Sequence, residues 1–236
     1  MSQTFGFKQF RVQQGDSAFK VGTDSVLLGA WANVSDAHNI LDAGTGTGIL
    51  ALMAAQKNPL ANITGIDTDQ ISIQIAADNF AASKWANRLQ AVHTDLLQFA
   101  PLHQGYYDHI ISNPPYFSNG LLPGDSRVAA ARHQKNGWES WVGAVVKALH
   151  PQGRWTVVIP VSEMKSIILE AALAGLHVCR ETSVCSRKGL PAIRYLLEFT
   201  TNPMAGRTRE HLNIYTQEEE YSPGYRELTK EFYLFF

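Results

Sequence analysis

Hydrophobic positions along the chain fall into short unbroken runs that alternate with longer stretches of helical spacing. "NILDAG" (39–44) reads as a buried strand, and "GILALMAAQKN" (48–58) carries the i, i+3, i+4 spacing of a helix. "NITGID" (62–67) predicts a second strand and "QISIQIAADNFAAS" (70–83) a second helix. "LQAVHTD" (89–95) and "YDHIIS" (107–112) predict the third and fourth strands. "GWESWVGAVVKAL" (137–149) is a helix whose end is marked by Pro151 and Gly153, and "RWTVVIP" (154–160) is a fifth strand. "SEMKSIILEAALAG" (162–175) opens on a capping serine, Ser162, and stops on Gly175. "LHVCRETSVCSR" (176–187) and "AIRYLLEFTT" (192–201) are joined only by "KGLP", which predicts an antiparallel hairpin at one edge of the sheet.

Strands separated by helices of this length require right-handed crossovers, so the expected class is α/β with a mainly parallel sheet. The order of segments predicts a single domain over 1–236. It divides into a flanking segment at 1–38, a core at 39–201 and a tail at 202–236 packed on that core. In the flank, "FKVGTDSVLLGAW" (19–31) predicts a helix over the sheet edge, capped by Thr23 or Asp24, with Val26, Leu27 and Leu28 packing. The tail carries "QEEE" (217–220), a solvated run, and then "YRELTKEFYLFF", too apolar to stand in water.

Composition narrows the class further. The 236 residues, 45% hydrophobic and 17% charged, are those of an ordinary globular protein. The net charge of −1 lacks the basic surplus of a general nucleic-acid binder and leaves room only for a local basic face. Cys179 and Cys185 form neither a disulfide framework nor a metal-ligand spacing, so a reducing cytoplasm is expected and no metal is implied. The start, MSQTFGFKQFRVQQ, lacks the pattern of a leader, and no apolar run approaches the roughly 18 residues of a membrane span.

Candidate chemistry begins in "LDAGTGTGIL" (41–50), between the first strand and the first helix. Gly44, Gly46 and Gly48 let the backbone approach a ligand closely, and the helix behind them presents unbonded N–H groups. A dinucleotide fingerprint needs its third glycine at 49, where the chain has Ile49. The pattern is instead D-x-G-x-G-x-G, opening on Asp42, as in S-adenosylmethionine-dependent methyltransferases. Asp67 ends the second strand, where a carboxylate accepts from both ribose hydroxyls, and Asp95 follows the third, where it accepts from an adenine amino group. Taken singly, each acid reads equally well as a helix cap or a surface charge.

"DHIISNPPYF" (108–117) runs an apolar strand into an amide, two prolines and two aromatics. Two prolines stop a strand, because neither donates to the ladder and each restricts its predecessor. The same residues suit a flat ring that carries an amino group. Such an amine is a poor nucleophile, since its lone pair is delocalised into the ring. The Asn113 side chain and the Pro114 carbonyl are acceptors for its two N–H bonds, which turns the nitrogen toward a tetrahedral form. Pro114 and Pro115 hold the backbone still, Tyr116 offers a stacking face and Phe117 a wall.

"LDAGTGTG", "GID", "HTD" and "NPPYF", in that order over 39–117, resemble class I S-adenosylmethionine-dependent methyltransferases of the N-P-P-[FY] group. The resemblance implies a three-layer, Rossmann-like fold with a seven-stranded, mostly parallel sheet and an antiparallel edge hairpin at 176–201. With "FKVGTDSVLLGAW" and "ARH" (131–133) the chain also resembles the family of bacterial tRNA1(Val) adenine-N6 methyltransferases. That implies methyl transfer to N6 of adenine 37 in the anticodon loop, where the base leaves its stack most easily. By the same resemblance Asn113, Pro114 and Tyr116 are catalytic, and Asp42, the three glycines, Asp67 and Asp95 hold S-adenosylmethionine. Lys20, Thr23 and Asp24 are candidates for its methionine end. Candidate RNA contacts are Pro115, Phe117, Arg132, His133, Arg187 and Lys188, which form a basic rim if the hairpin turn lies at the site end of the sheet. The expected partner is tRNA, with a monomeric protein and no membrane. NPP[FY] also occurs in enzymes that methylate a glutamine amide in protein, and a binding module without catalysis is the reading from outside the enzymes.

Overall fold

The computed structural model describes residues 4–15, 21–114 and 137–236. A short antiparallel hairpin, β1 (Thr4–Gly6) and β2 (Arg11–Gln13), opens the chain, followed by α1 (Thr23–Trp31). The alternating section then runs β3 (Asn39–Ala43), α2 (Ile49–Lys57), β4 (Asn62–Asp67), α3 (Gln70–Ala81), β5 (Leu89–His93), α4 (Leu96–Phe99) and β6 (Tyr107–Ser112). It continues as α5 (Gly137–Ala148), β7 (Leu149–Pro160), α6 (Met164–Leu173), β8 (His177–Arg187), β9 (Ala192–Thr200), β10 (Thr208–Tyr215) and α7 (Pro223–Thr229).

The main sheet has eight strands in the order β10-β8-β9-β7-β6-β3-β4-β5. The expected count was seven. The additional strand is β10, from the tail, which pairs parallel with β8 from Thr208 opposite Arg180 to Tyr215 opposite Arg187. The β8–β9 hairpin forms as expected but is not the edge, because β10 lies outside it. Trp31 and Arg180 secure that added strand. Trp31 Nε1 donates to Thr182 Oγ1 at 2.8 Å, Arg180 pairs with Glu210 at 3.1 Å, and its guanidinium lies 4.2 Å from the Trp31 ring centroid.

Three further expectations need correction. Thr23 and Asp24 do not cap α1; Gly22 holds that position without a side-chain bond. Ser162 lies inside a tight turn, Val161–Glu163, so α6 begins after it at Met164, with Glu163 at the N-cap position and again no side-chain cap. The strand expected from 154 begins at Leu149 and passes through Pro151 and Gly153. Its ladder with β6 shifts register between Tyr107 and His109, and an irregular ladder is where a strand tolerates proline.

Alternation along the strands divides the core into two layers. Ile40, Ile63, Ile111, Val158 and Leu196 face α1, α2 and α3. Leu41, Ile66, Ile110, Val157, Ile159 and Leu197 face α4, α5 and α6. A period of two in strands buried on both sides produces this split. The chain steps from β3 out to β4 and β5, then returns to add β6 on the other side of β3. The strand order therefore reverses between β3 and β6, and in open parallel sheets ligands bind beyond the carboxyl ends at that point.

Candidate active site

The two motifs singled out in the sequence meet at this reversal. The glycine loop follows β3 and Asn113 follows β6, and these strands are direct neighbours with Ala43 opposite Ser112. Gly44, Gly46 and Gly48 have φ of +78°, +54° and +86°, a region that glycine alone enters without strain. Their uses differ. A Cβ on Gly48 would come within 2.4 Å of the Phe80 ring, so this glycine seats α2 against α3. A Cβ on Gly46 would meet no described atom within 4 Å.

Asp42 lies beneath the loop. It is fully buried, and its Oδ2 accepts from Thr45 Oγ1 at 2.7 Å and from the Ala51 N–H at 3.0 Å. Burial pushes its carboxyl up to about 7, against the two hydrogen bonds, with the Asp67 charge adding to the rise. Asp67 ends β4, with Oδ2 on the Gly46 N–H at 2.8 Å and Oδ1 on the Asp69 N–H at 2.9 Å. Each oxygen retains a second lone pair, so the carboxylate can also accept from a diol. Desolvation raises its pKa, while the backbone bonds oppose the rise.

Asp95 follows β5 and caps α4, its Oδ1 accepting from the Leu97 N–H at 2.7 Å. The capping role that its position allowed is therefore present in the structure. Asp24 forms an ion pair with Arg194 of β9 at 2.7 Å, and Thr23 is exposed at the start of α1. Asn113 is half-buried and Pro114 buried. Lys20, Pro115, Tyr116, Phe117, Arg132 and His133 lie outside the described residues.

The hairpin turn lies at the site end of the sheet, because Arg194 pairs opposite Pro160, the last residue of β7. Arg187 and Lys188 are thus on the correct side for a rim. Arg187, however, is paired with Glu219 at 2.5 Å, and the backbone of Lys188 accepts from Gln217. Glu219 of the tail therefore stands beside Arg187, and Gln217 beside Lys188. One contact had no signal in the sequence: Asn113 Nδ2 donates to Ser25 Oγ at 2.9 Å, across 88 residues of chain.

Residues 17–184 match the profile of the methyltransferase small domain. The chain belongs to that family. A relative from Vibrio campbellii is 41% identical over 98% of this chain and 95% of its own length. One from Bacteroides thetaiotaomicron is 40% identical over 98% and 97%. Both bear the name tRNA1(Val) (adenine(37)-N6)-methyltransferase. A predicted O-methyltransferase from Agrobacterium tumefaciens, of solved structure, has 19% identity and a TM-score of 0.69 over 89% of this chain and 96% of that one, a likeness of fold.

The protein is an S-adenosylmethionine-dependent methyltransferase. Its residues fit that cofactor. No described atom lies within 4 Å of a Cβ placed on Gly46, and the Asp67 carboxylate beside it is an acceptor for a diol. No helix of the described residues is long and apolar enough to cross a membrane.

Proposed function

We propose that this methyltransferase modifies N6 of adenine 37 in tRNA1(Val), the substrate named for its relatives. The observation that carries the reading is the placement of Asn113 and Pro114 beside the glycine loop, at the point where strand order reverses. S-adenosylmethionine supplies an electrophilic methyl group on a sulfonium. The protein supplies two acceptors for an amine: the Asn113 Oδ1 and the Pro114 carbonyl. Neither is a strong base, which suits an amine whose proton leaves only after it has gained the methyl group. Acceptors placed for the tetrahedral nitrogen bind the transition state better than the flat ground state. Tyr116 and Phe117 are proposed to stack on and wall the base, with Arg132, His133 and Lys188 toward the RNA.

Asn113→Ala tests this division of labour. Methyl transfer to unmodified tRNA should fall by a factor on the order of 10³, the scale of a lost oxyanion-type contact. Cofactor affinity, measured by calorimetry, should stay within about threefold, since the glycine loop and Asp67 are on separate strands. Loss of both together would contradict it and make Asn113 a support of the pocket.

A further inference from the structure

We propose that Val161, Leu190 and Ile193, together with Lys165 and Lys188, form a shoulder that receives the single-stranded RNA next to the target adenine. The proposal rests on the adenine reading above and extends it to the neighbouring nucleotide.

Strand register brings the apolar side chains together. Arg194 pairs opposite Pro160, so Val161 and Ile193, the next residue outward on each strand, leave the β7–β9 ladder side by side. Val161 has the parity of Ile159 and Ile193 that of Leu197, which places both toward the layer of α5 and α6. Leu190 lies three residues before Ile193, in the β8–β9 turn. Val161, Leu190 and Ile193 are 44%, 51% and 42% exposed. Apolar residues exposed singly are ordinary, but three at one end of a sheet form a patch that marks a contact surface.

The patch stands beside the proposed acceptors and beyond them. β7 adjoins β6 and β9 adjoins β7, so these two strand ends lie about 5 and 10 Å to the side of β6. Ser112 pairs with Val157, which puts Asn113 level with Val158 and Val161 three residues further out. A base whose amine reaches Asn113 and Pro114 sits below this shoulder. The next nucleotide along the strand is the one that meets it.

Charge selects the occupant. Lys165 is exposed at the start of α6, four residues after Val161, and Lys188 is exposed in the turn, two residues before Leu190. Neither ammonium meets a carboxylate among the described residues, whereas Arg187 and Arg194 nearby are paired with Glu219 and Asp24. Apolar side chains next to unpaired cations suit bases joined by phosphates: a splayed base covers the apolar surface and the ammonium groups meet the backbone. The peptide around a glutamine carries no phosphates for these lysines.

The test measures binding and methylation of an unmodified anticodon stem-loop by three variants. The double variant Val161→Ser, Ile193→Ser should raise Kd and KM for the RNA about tenfold, with kcat and the salt dependence of binding little changed. The double variant Lys165→Ala, Lys188→Ala should also weaken binding, and should reduce the slope of log Kd against log salt by about 0.7 for each lysine lost. Leu173→Ser, still more exposed but at the far end of α6, should leave RNA binding unchanged. Cofactor affinity, measured by calorimetry, should be the same in all three and checks that each is folded. The lysine variant tests the shoulder even if the apolar variant folds poorly. Unchanged RNA affinity in either shoulder variant, an unaltered salt slope without the lysines, or an equal loss in Leu173→Ser would overturn the inference alone. A wild-type chain that labels glutamine in a protein extract and no nucleotide in tRNA would overturn the proposed function, and this inference with it.

Discussion

The Asp67 carboxylate accepts the Gly46 N–H at 2.8 Å, joining the end of β4 to the middle of the glycine loop after β3. Its second oxygen accepts the Asp69 N–H at 2.9 Å. One side chain therefore sets the loop's height and presents the acceptor proposed for the cofactor's ribose. Asp67→Asn leaves one of the two N–H groups facing an amide donor. Hydrogen bonds to a charged group are worth about 1.5–3 kcal/mol, so cofactor affinity should weaken roughly 10- to 100-fold by calorimetry. Stability should fall by only about 1 kcal/mol, read from urea unfolding.

Gly46 and Gly48 should separate binding from folding. Gly48→Ala adds a Cβ 2.4 Å from Phe80 at a φ of +86° and should destabilise by roughly 2–4 kcal/mol in urea unfolding. Gly46→Ala adds one where no described atom lies within 4 Å and should cost about 1–2 kcal/mol of stability. Its larger effect should be on cofactor binding, because the methyl group fills the space proposed for the ligand.

Asp42 makes stability depend on pH with a definite sign. Its folded pKa, about 7, lies above the usual 3.8, so the folded state binds more protons between these values. Stability from this group is greatest at low pH and declines as pH rises from about 4 to about 7, by up to roughly 4 kcal/mol. Asp42→Asn has no such titration. The stability difference between wild type and Asp42→Asn should shift toward wild type on going from pH 8 to pH 5 in denaturant titrations. A difference independent of pH would contradict the assignment.

Much of this arrangement was legible in the sequence, for identifiable reasons. β3, β4 and β6 are short apolar runs buried on both faces, and such runs announce themselves. The glycine loop and Asn113 follow those runs directly, so their meeting at one end of the sheet follows from parallel strands. β10 was hidden because "TREHLNIY" is mostly polar, with Leu212 and Ile214 its only buried residues. The three-residue strands β1 and β2 and the four-residue α4 are too short to show a period. The Ser25–Asn113 bond and the Asp24–Arg194 pair join residues 88 and 170 positions apart, and local spacing carries no signal at such distances.

The tail is expected to be part of the stable fold. It buries Leu212, Ile214, Tyr225, Phe232 and Tyr233 against the layer that holds α1. A chain ending at Thr201 would expose those contacts and the full edge of β8. It should lose more than about 3 kcal/mol of stability or aggregate on expression, as monitored by thermal unfolding and light scattering.

The most direct measurement of the central claim uses labelled S-adenosylmethionine and the purified protein with two substrates in parallel. One is unmodified total tRNA and the other a protein extract, each digested afterwards to nucleosides or amino acids. Label is expected in N6-methyladenosine, mapped to the base at position 37 and absent with Asn113→Ala. Label in N5-methylglutamine from the extract, with none in the tRNA, would contradict it and make the Asn113–Pro114 acceptors a clamp for a glutamine amide.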